Sequence, residues 1–300
     1  MKVLATRRLP GPAWDELEDV EVGALDRTRP DVEALIVANE TVDERTLDLL
    51  PSLRLVANFG VGYDRIDLAA CAARGISVTN TPGVLDAATA DLTMALLLAA
   101  RRRVVEGDDL VRAGRWKTTW SVGPFLGSEV TGATLGIVGL GRIGSAVARR
   151  ARGFEMRVLY TRRRRVATDL GEHRELDELL AEADAVSLHT PLTPETENLI
   201  DARRLALLRD GATLVNTARG ALVDEEALVA ELVSGRINAG LDVFVHEPHV
   251  PDALRALPNV VLTPHIASAT IETRSAMTRI VVDNVLAAER GEPLPNLVPV

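Results

Sequence analysis

A single cysteine, Cys71, stands among 300 residues, so neither an intramolecular disulfide nor a cysteine-built zinc centre can form. That usage suits a reducing compartment. Positive charge is also scarce. The 34 lysines and arginines face 43 acidic residues and leave a net charge of −9, which argues against nucleic acid or an anionic membrane as a partner. No apolar run approaches the roughly 20 residues that a membrane-spanning helix requires. The opening MKVLATRRLPGPAWDELED has no signal-peptide core, and a cytoplasmic protein is expected. Low-complexity tracts are missing, as are repeats with a period of roughly 20–50 residues. The histidines show no metal-ligand spacing, so no metal site is expected.

What remains is the balance of a folded globular protein, with 47% hydrophobic and 26% charged residues. At roughly 100–200 residues per domain the length suggests two domains. Short β-rich runs alternate with helical spacing along nearly the whole chain. One series of strands includes Lys2–Ala5, Ala34–Ala38, Arg54–Ala57 and Ile76–Thr79; a second runs from Thr134–Val138 to Val260–Leu262. Alternation of this kind builds parallel sheets covered by helices on both faces. The expected fold is α/β, with two Rossmann-like doubly wound parallel-sheet domains and a cleft between them. Residues 1–98 plus 268–300 are expected to form a discontinuous, flavodoxin-like substrate domain, and residues 99–267 the dinucleotide domain. A helical pattern from Asp86 to about Arg103 reads as the bridge, followed by an irregular loop, Ala113–Gly132.

The strongest motif is Gly139-Leu-Gly-Arg-Ile-Gly144, with an apolar strand before it and a helical stretch after it. In such a turn Gly139 permits the tight bend, Gly141 lets backbone approach a pyrophosphate, and Gly144 lets helix pack on strand. The anion then meets the unpaired N–H groups at the helix start, around Arg142 and Ile143. The next strand ends in Thr161-Arg-Arg-Arg-Arg165 and lacks the acid that usually accepts from the ribose 2′-hydroxyl of NAD. Guanidinium groups instead suit a 2′-phosphate. NADP(H) is therefore the expected cofactor, with NAD(H) also possible, and Thr161, Arg162 and Arg163 are the expected contacts.

Three further strand ends carry chemistry. Arg219 follows one strand, Asp242 and Glu247 leave another, and His265 follows the last. Together they suit reduction of a 2-keto acid. An arginine can hold the carboxylate by two parallel hydrogen bonds and polarise the keto oxygen. A protonated histidine can deliver the proton, and a neighbouring glutamate orients its ring and favours the imidazolium.

The ordered series Asn58-Phe-Gly-Val-Gly-Tyr-Asp64, Asn80-Thr-Pro-Gly83, Ala90–Leu98, the glycine turn, His189-Thr-Pro-Leu-Thr193, Asn216–Gly220, Asp242–Pro248 and Thr263–Ser268 resembles the D-2-hydroxyacid dehydrogenases. Within that family it is most similar to the glyoxylate/hydroxypyruvate reductase branch. The resemblance covers nearly the whole chain. It implies Arg219, Glu247 and His265 as the catalytic trio, and a substrate-carboxylate cradle at Val61 and Gly62 assisted by Arg219. It also implies cofactor contacts at Thr93, His189, Thr190, Pro191, Thr217, Ala218, Asp242 and His265. A homodimer is implied as well, with Arg101–Ser128, including Trp116 and Trp120, matching the dimer arm; the plain alternative for that stretch is an exposed loop. Glu155 departs from the glycine common at its position. Two other functions stay open: a reductase of a larger 2-keto acid such as 2-ketogluconate, and a nucleotide-sensing scaffold similar to corepressor relatives. Aromatic residues, at 3%, speak weakly against a large aromatic substrate.

Overall fold

The computed structural model describes residues 1–117, 125–164 and 167–299. Two compact units emerge, Met1–Leu85 with Ser268–Val300, and Asp86–Ala267.

In the first unit, strands β1 (Val3–Ala5), β2 (Val20–Val22), β3 (Ala34–Val37), β4 (Leu55–Asn58) and β5 (Ser77–Thr79) pair in parallel in the order β2-β1-β3-β4-β5. This is the flavodoxin-like winding. β1, β3 and β4 are buried at every position, as strands covered on both faces must be. Helices α1 (Glu44–Asp48) and α2 (Leu68–Ala73) begin where Asp43 and Asp67 accept hydrogen bonds from the N–H groups of Thr46 and Ala70. The C-terminal helix, Ile271–Arg290, packs against β4 and the 3₁₀ turn Pro12–Glu16, and its Thr278 hydroxyl donates to the Pro10 carbonyl.

The second unit contains, in chain order, α3 (Asp86–Arg101), α4 (Val104–Arg112), β6 (Thr134–Val138), α5 (Arg142–Arg152), β7 (Arg157–Thr161), β8 (Glu172–His173) and α6 (Leu176–Glu182). There follow β9 (Ala185–Leu188), α7 (Ala202–Leu205), β10 (Thr213–Asn216), α8 (Glu225–Val233), β11 (Asn238–Leu241), α9 (Asp252–Arg255) and β12 (Val260–Leu262). Its sheet runs β12-β11-β10-β9-β6-β7-β8, with every pairing parallel. The winding reverses between β6 and β9. In open α/β sheets ligands bind at that switch point, beyond the carboxyl ends of the strands.

Three expectations need correction. The first unit ends at Leu85 rather than at residue 98, because Ala90, Met94, Leu97 and Ala100 of α3 share a core with Leu135, Ile137, Val147 and Val215. The plain alternative of an exposed loop for Arg101–Ser128 is corrected by a helix, α4, within it. It begins after Arg103 takes a left-handed φ of +52°, and none of its residues is buried, so it leaves no core-facing pattern in the sequence. The edge strands β2 and β8 were not expected; they are three and two residues long, too short to show alternation. Glu155 has φ +56°, a backbone region that glycine occupies most easily, so the glycine that the resemblance implies there would fit this conformation. Trp120 and Arg165 lie outside the described residues.

Candidate active site

Gly139 closes β6 with φ +100°, and a Cβ there would lie 2.8 Å from the carbonyl carbon of His189. Only glycine lets the end of β6 press so closely on the loop leaving β9. Gly144 is equally constrained, since its Cβ would meet the Gly139 carbonyl oxygen at 2.3 Å. Gly141 differs. A side chain there would touch nothing within 4 Å, so the fold itself has no need of glycine at that position. The open space lies beside the first turn of α5, where the N–H groups of Arg142 and Ile143 have no acceptor within the helix. Buried nearby, the Thr190 hydroxyl has no hydrogen-bond partner among the described residues. An open glycine, helix N–H groups without an intrahelical acceptor and a hydroxyl without a partner among the described residues fit a dinucleotide pyrophosphate at this switch point.

His189 contributes backbone rather than ring to this turn. Its Nε2 lies 2.6 Å from the buried Ser187 hydroxyl, and burial lowers the imidazole pKa to about 3, so the ring is neutral. Pro191 follows, and its carbonyl accepts from the Thr196 hydroxyl at 2.7 Å. On the other side of β6, Thr161 ends β7, and Arg162 and Arg163 are exposed beyond it. Glu195 is held below the usual carboxylate range first by the Thr193 hydroxyl and also by the charge of Arg163, so a carboxylate stands near the basic turn. Thr93 of α3 and Thr217 after β10 meet through their hydroxyls at 2.9 Å, which joins two expected cofactor contacts.

The three chemistry-bearing strand ends β10, β11 and β12 are neighbours in the sheet. Gly220 brings the first two together. A Cβ on it would lie 2.1 Å from the Phe244 carbonyl carbon and 2.4 Å from the Val245 nitrogen, so Arg219 sits against the segment that carries Glu247. Asn216 fixes the Arg219 turn, donating to the Arg219 carbonyl at 2.8 Å and accepting from the Ala218 N–H at 3.0 Å. The Arg219 guanidinium donates to the Ala218 carbonyl at 2.7 Å.

Glu247 accepts from the Phe244 N–H through Oε1 at 3.1 Å, and its Oε2 lies 2.8 Å from Nδ1 of His265. The glutamate side chain is 13% exposed and the histidine 37%. The pair therefore fixes the ring through Nδ1, with Nε2 on the side away from Glu247. His265 has φ +53°, a conformation uncommon outside glycine. Asp242 holds it there. Fully buried, its Oδ1 accepts from the Thr263 hydroxyl at 2.6 Å and the Ile266 N–H at 2.8 Å, and its Oδ2 from the Ala267 N–H at 2.8 Å. Burial pushes the Asp242 pKa up against these bonds. Oδ2 retains one acceptor direction, enough for a single amide donor.

Val61 and Gly62 form a half-buried turn after β4 in the first unit. Sequence reasoning missed Asn216, Thr263 and Ser187. A polar residue one to three positions from a chemistry-bearing strand end was the signal available for the first two.

The family model for the D-isomer specific 2-hydroxyacid dehydrogenase NAD-binding domain matches residues 94–267. A glyoxylate reductase of Pyrococcus furiosus is 49% identical over 99% of this chain and 95% of its own. Among solved structures, a Thermus thermophilus protein shares 48% identity and a TM-score of 0.93, covering 100% of both chains. An NADPH-dependent glyoxylate/hydroxypyruvate reductase from Sinorhizobium meliloti, solved with NADP and malonate, shares 37% identity and a TM-score of 0.89 over 99% of this chain and 96% of its own.

Proposed function

The chain belongs to the D-isomer-specific 2-hydroxyacid dehydrogenase family, and from that premise we propose that it reduces glyoxylate or hydroxypyruvate with NADPH. The observation that carries the chemistry is the Glu247–His265 pair beside Arg219, on adjacent strand ends of a Rossmann sheet. When bound, the reduced nicotinamide would supply a hydride to the keto carbon. Arg219 is suited to the substrate carboxylate and polarises the keto oxygen. Within the first unit, the N–H groups of the Val61–Gly62 turn are likewise suited to a carboxylate. His265 gives the proton on Nε2 to that oxygen, while Glu247 keeps Nδ1 protonated and the ring in place. Asp242 offers its remaining acceptor direction to the carboxamide of the nicotinamide.

The absence of an acid at the end of β7, with Arg162 and Arg163 exposed beyond it, supports NADP(H). Glu195 beside Arg163 works against a 2′-phosphate, so Arg162 carries the greater share of the preference. The known reductase that pairs NADPH with these substrates supports the same choice. A homodimer in the cytoplasm completes the reading. The homodimer is supported by the exposed Val104, Val105, Val111, Trp116 and Leu126 on and around α4, apolar side chains that a second copy could cover.

A panel of 2-keto acids run with NADPH and NADH side by side tests the proposal. Glyoxylate and hydroxypyruvate with NADPH should give the highest kcat/KM. Arg162→Asp should weaken NADPH by about tenfold or more, the worth of one charge-assisted hydrogen bond, and leave NADH nearly unchanged. Equal losses for both cofactors would remove the 2′-phosphate assignment.

A further inference from the structure

Two asparagines grip the turn after β4 from behind. Asn58, the last residue of β4 and buried, donates through Nδ2 to the carbonyls of Gly60 at 3.2 Å and Gly62 at 2.8 Å. Asn80, just beyond β5, donates through its own Nδ2 to the Val61 carbonyl at 2.9 Å. The Thr81 N–H adds a second bond to the Gly60 carbonyl at 3.0 Å. Three consecutive carbonyls are thus engaged by donors rooted in two neighbouring strands.

A trans peptide points its carbonyl and the following N–H in opposite directions. Holding the carbonyls of Gly60, Val61 and Gly62 therefore turns the N–H groups of Val61, Gly62 and Tyr63 away from the asparagine that holds each peptide. Among the described residues no acceptor takes these three N–H groups, although Val61 and Gly62 are half-buried. A half-buried donor without a partner is costly, and a row of them suits an anion.

We infer that Asn58 and Asn80 are positioning residues that lock this turn with its N–H groups aimed at the substrate carboxylate. The inference rests on the reading of the turn as a 2-keto acid cradle. The amide side chain suits the task because it brings two N–H donors on one nitrogen, so that Asn58 alone bridges two carbonyls. Without the clamp a peptide can flip, and a carbonyl oxygen would then face the carboxylate where an N–H stood. The substitution exchanges attraction for repulsion and so acts on substrate affinity more than on turnover.

The test uses the isotope-labelled full chain with oxamate, a carboxylate analogue of the substrate, as probe. Amide resonances of residues 61–63 should shift on titration. Asn58→Leu and Asn80→Leu keep side-chain bulk and remove the donor. Each should weaken oxamate and raise the KM for the keto acid about tenfold, with kcat changed less and the dissociation constant of NADPH unchanged. A role in packing alone would spare the leucine variants. Should Asn58→Leu fail to fold, the half-buried Asn80 carries the test. Oxamate bound by the variants with parental affinity would overturn the clamp, and so would unshifted amides in the parent. Shifted amides in a parent that turns over no 2-keto acid would overturn the functional reading and leave the clamp standing.

Discussion

Glu247 is the residue at which a change of one atom should matter most. Both carboxylate oxygens are engaged, Oε1 by the Phe244 N–H at 3.1 Å and Oε2 by the ring of His265 at 2.8 Å. Glu247→Gln preserves shape but supplies one acceptor and one donor where two acceptors are required. Either the Phe244 N–H or Nδ1 of His265 then faces an amide NH₂. If the oxygen turns to His265, the contact survives as a neutral hydrogen bond worth about 1 kcal/mol in place of a charge-assisted one worth about 1.5–3 kcal/mol. The imidazolium also loses its counter-charge. At an effective dielectric constant of about 20 two unit charges about 4 Å apart attract by about 4 kcal/mol, and the 37% exposure of the His265 side chain screens part of that. The combined loss is about 2–3 kcal/mol of transition-state stabilisation, or about 30- to 200-fold in kcat for keto acid reduction. The assay is the decay of reduced-nicotinamide absorbance under single-turnover conditions, with cofactor affinity measured separately and expected to hold. A Glu247→Gln variant within about twofold of parental turnover, with chemistry rate-limiting, would refute the role given to this pair.

Two other perturbations follow from the same geometry. Gly220→Ala drives a methyl group into the Phe244 backbone, which should displace the Glu247 segment by about 1 Å; turnover should fall about 100-fold and stability by about 1–3 kcal/mol, read by kinetics and by thermal melting. His189, with a folded pKa of about 3 against the ordinary 6.5, binds a proton more readily in the unfolded chain; its contribution to stability is complete above about pH 6.5 and declines by up to about 1.4 kcal/mol per pH unit as pH falls toward 3. Denaturant titrations of His189→Gln should therefore show a flatter pH dependence across that window, and a slope equal to the parent's would contradict a neutral ring.

Much of the candidate site is legible in the sequence because its signals are local. The turn Gly139–Gly144 announces itself by glycines at fixed spacing between a strand and a helix, and the strand ends at Arg219, Glu247 and His265 carry residue types that solvated loops seldom combine. The long helix α3 was legible as a helix bridging the units, but the boundary at residue 98 cuts through it, because its buried face shows only that it packs, not on which sheet. α4 escaped for the opposite reason, having no buried face at all. Asn58, Asn216 and Thr263 were missed since a single polar residue at a strand end looks the same whether it clamps a carbonyl or meets water.

The linear order of residues by itself determined the alternation of strands and helices, the glycine turn, and the acid–base groups available, since period, spacing and side-chain chemistry are properties of neighbours in the chain. Only the tertiary structure decided which groups meet. Gly220 lets β10 and the Phe244 segment approach closely, Asp242 holds His265 in its left-handed conformation, and two carboxamides fix the peptides of Gly60–Gly62, because each of these depends on atoms brought together by parallel pairing rather than by sequence.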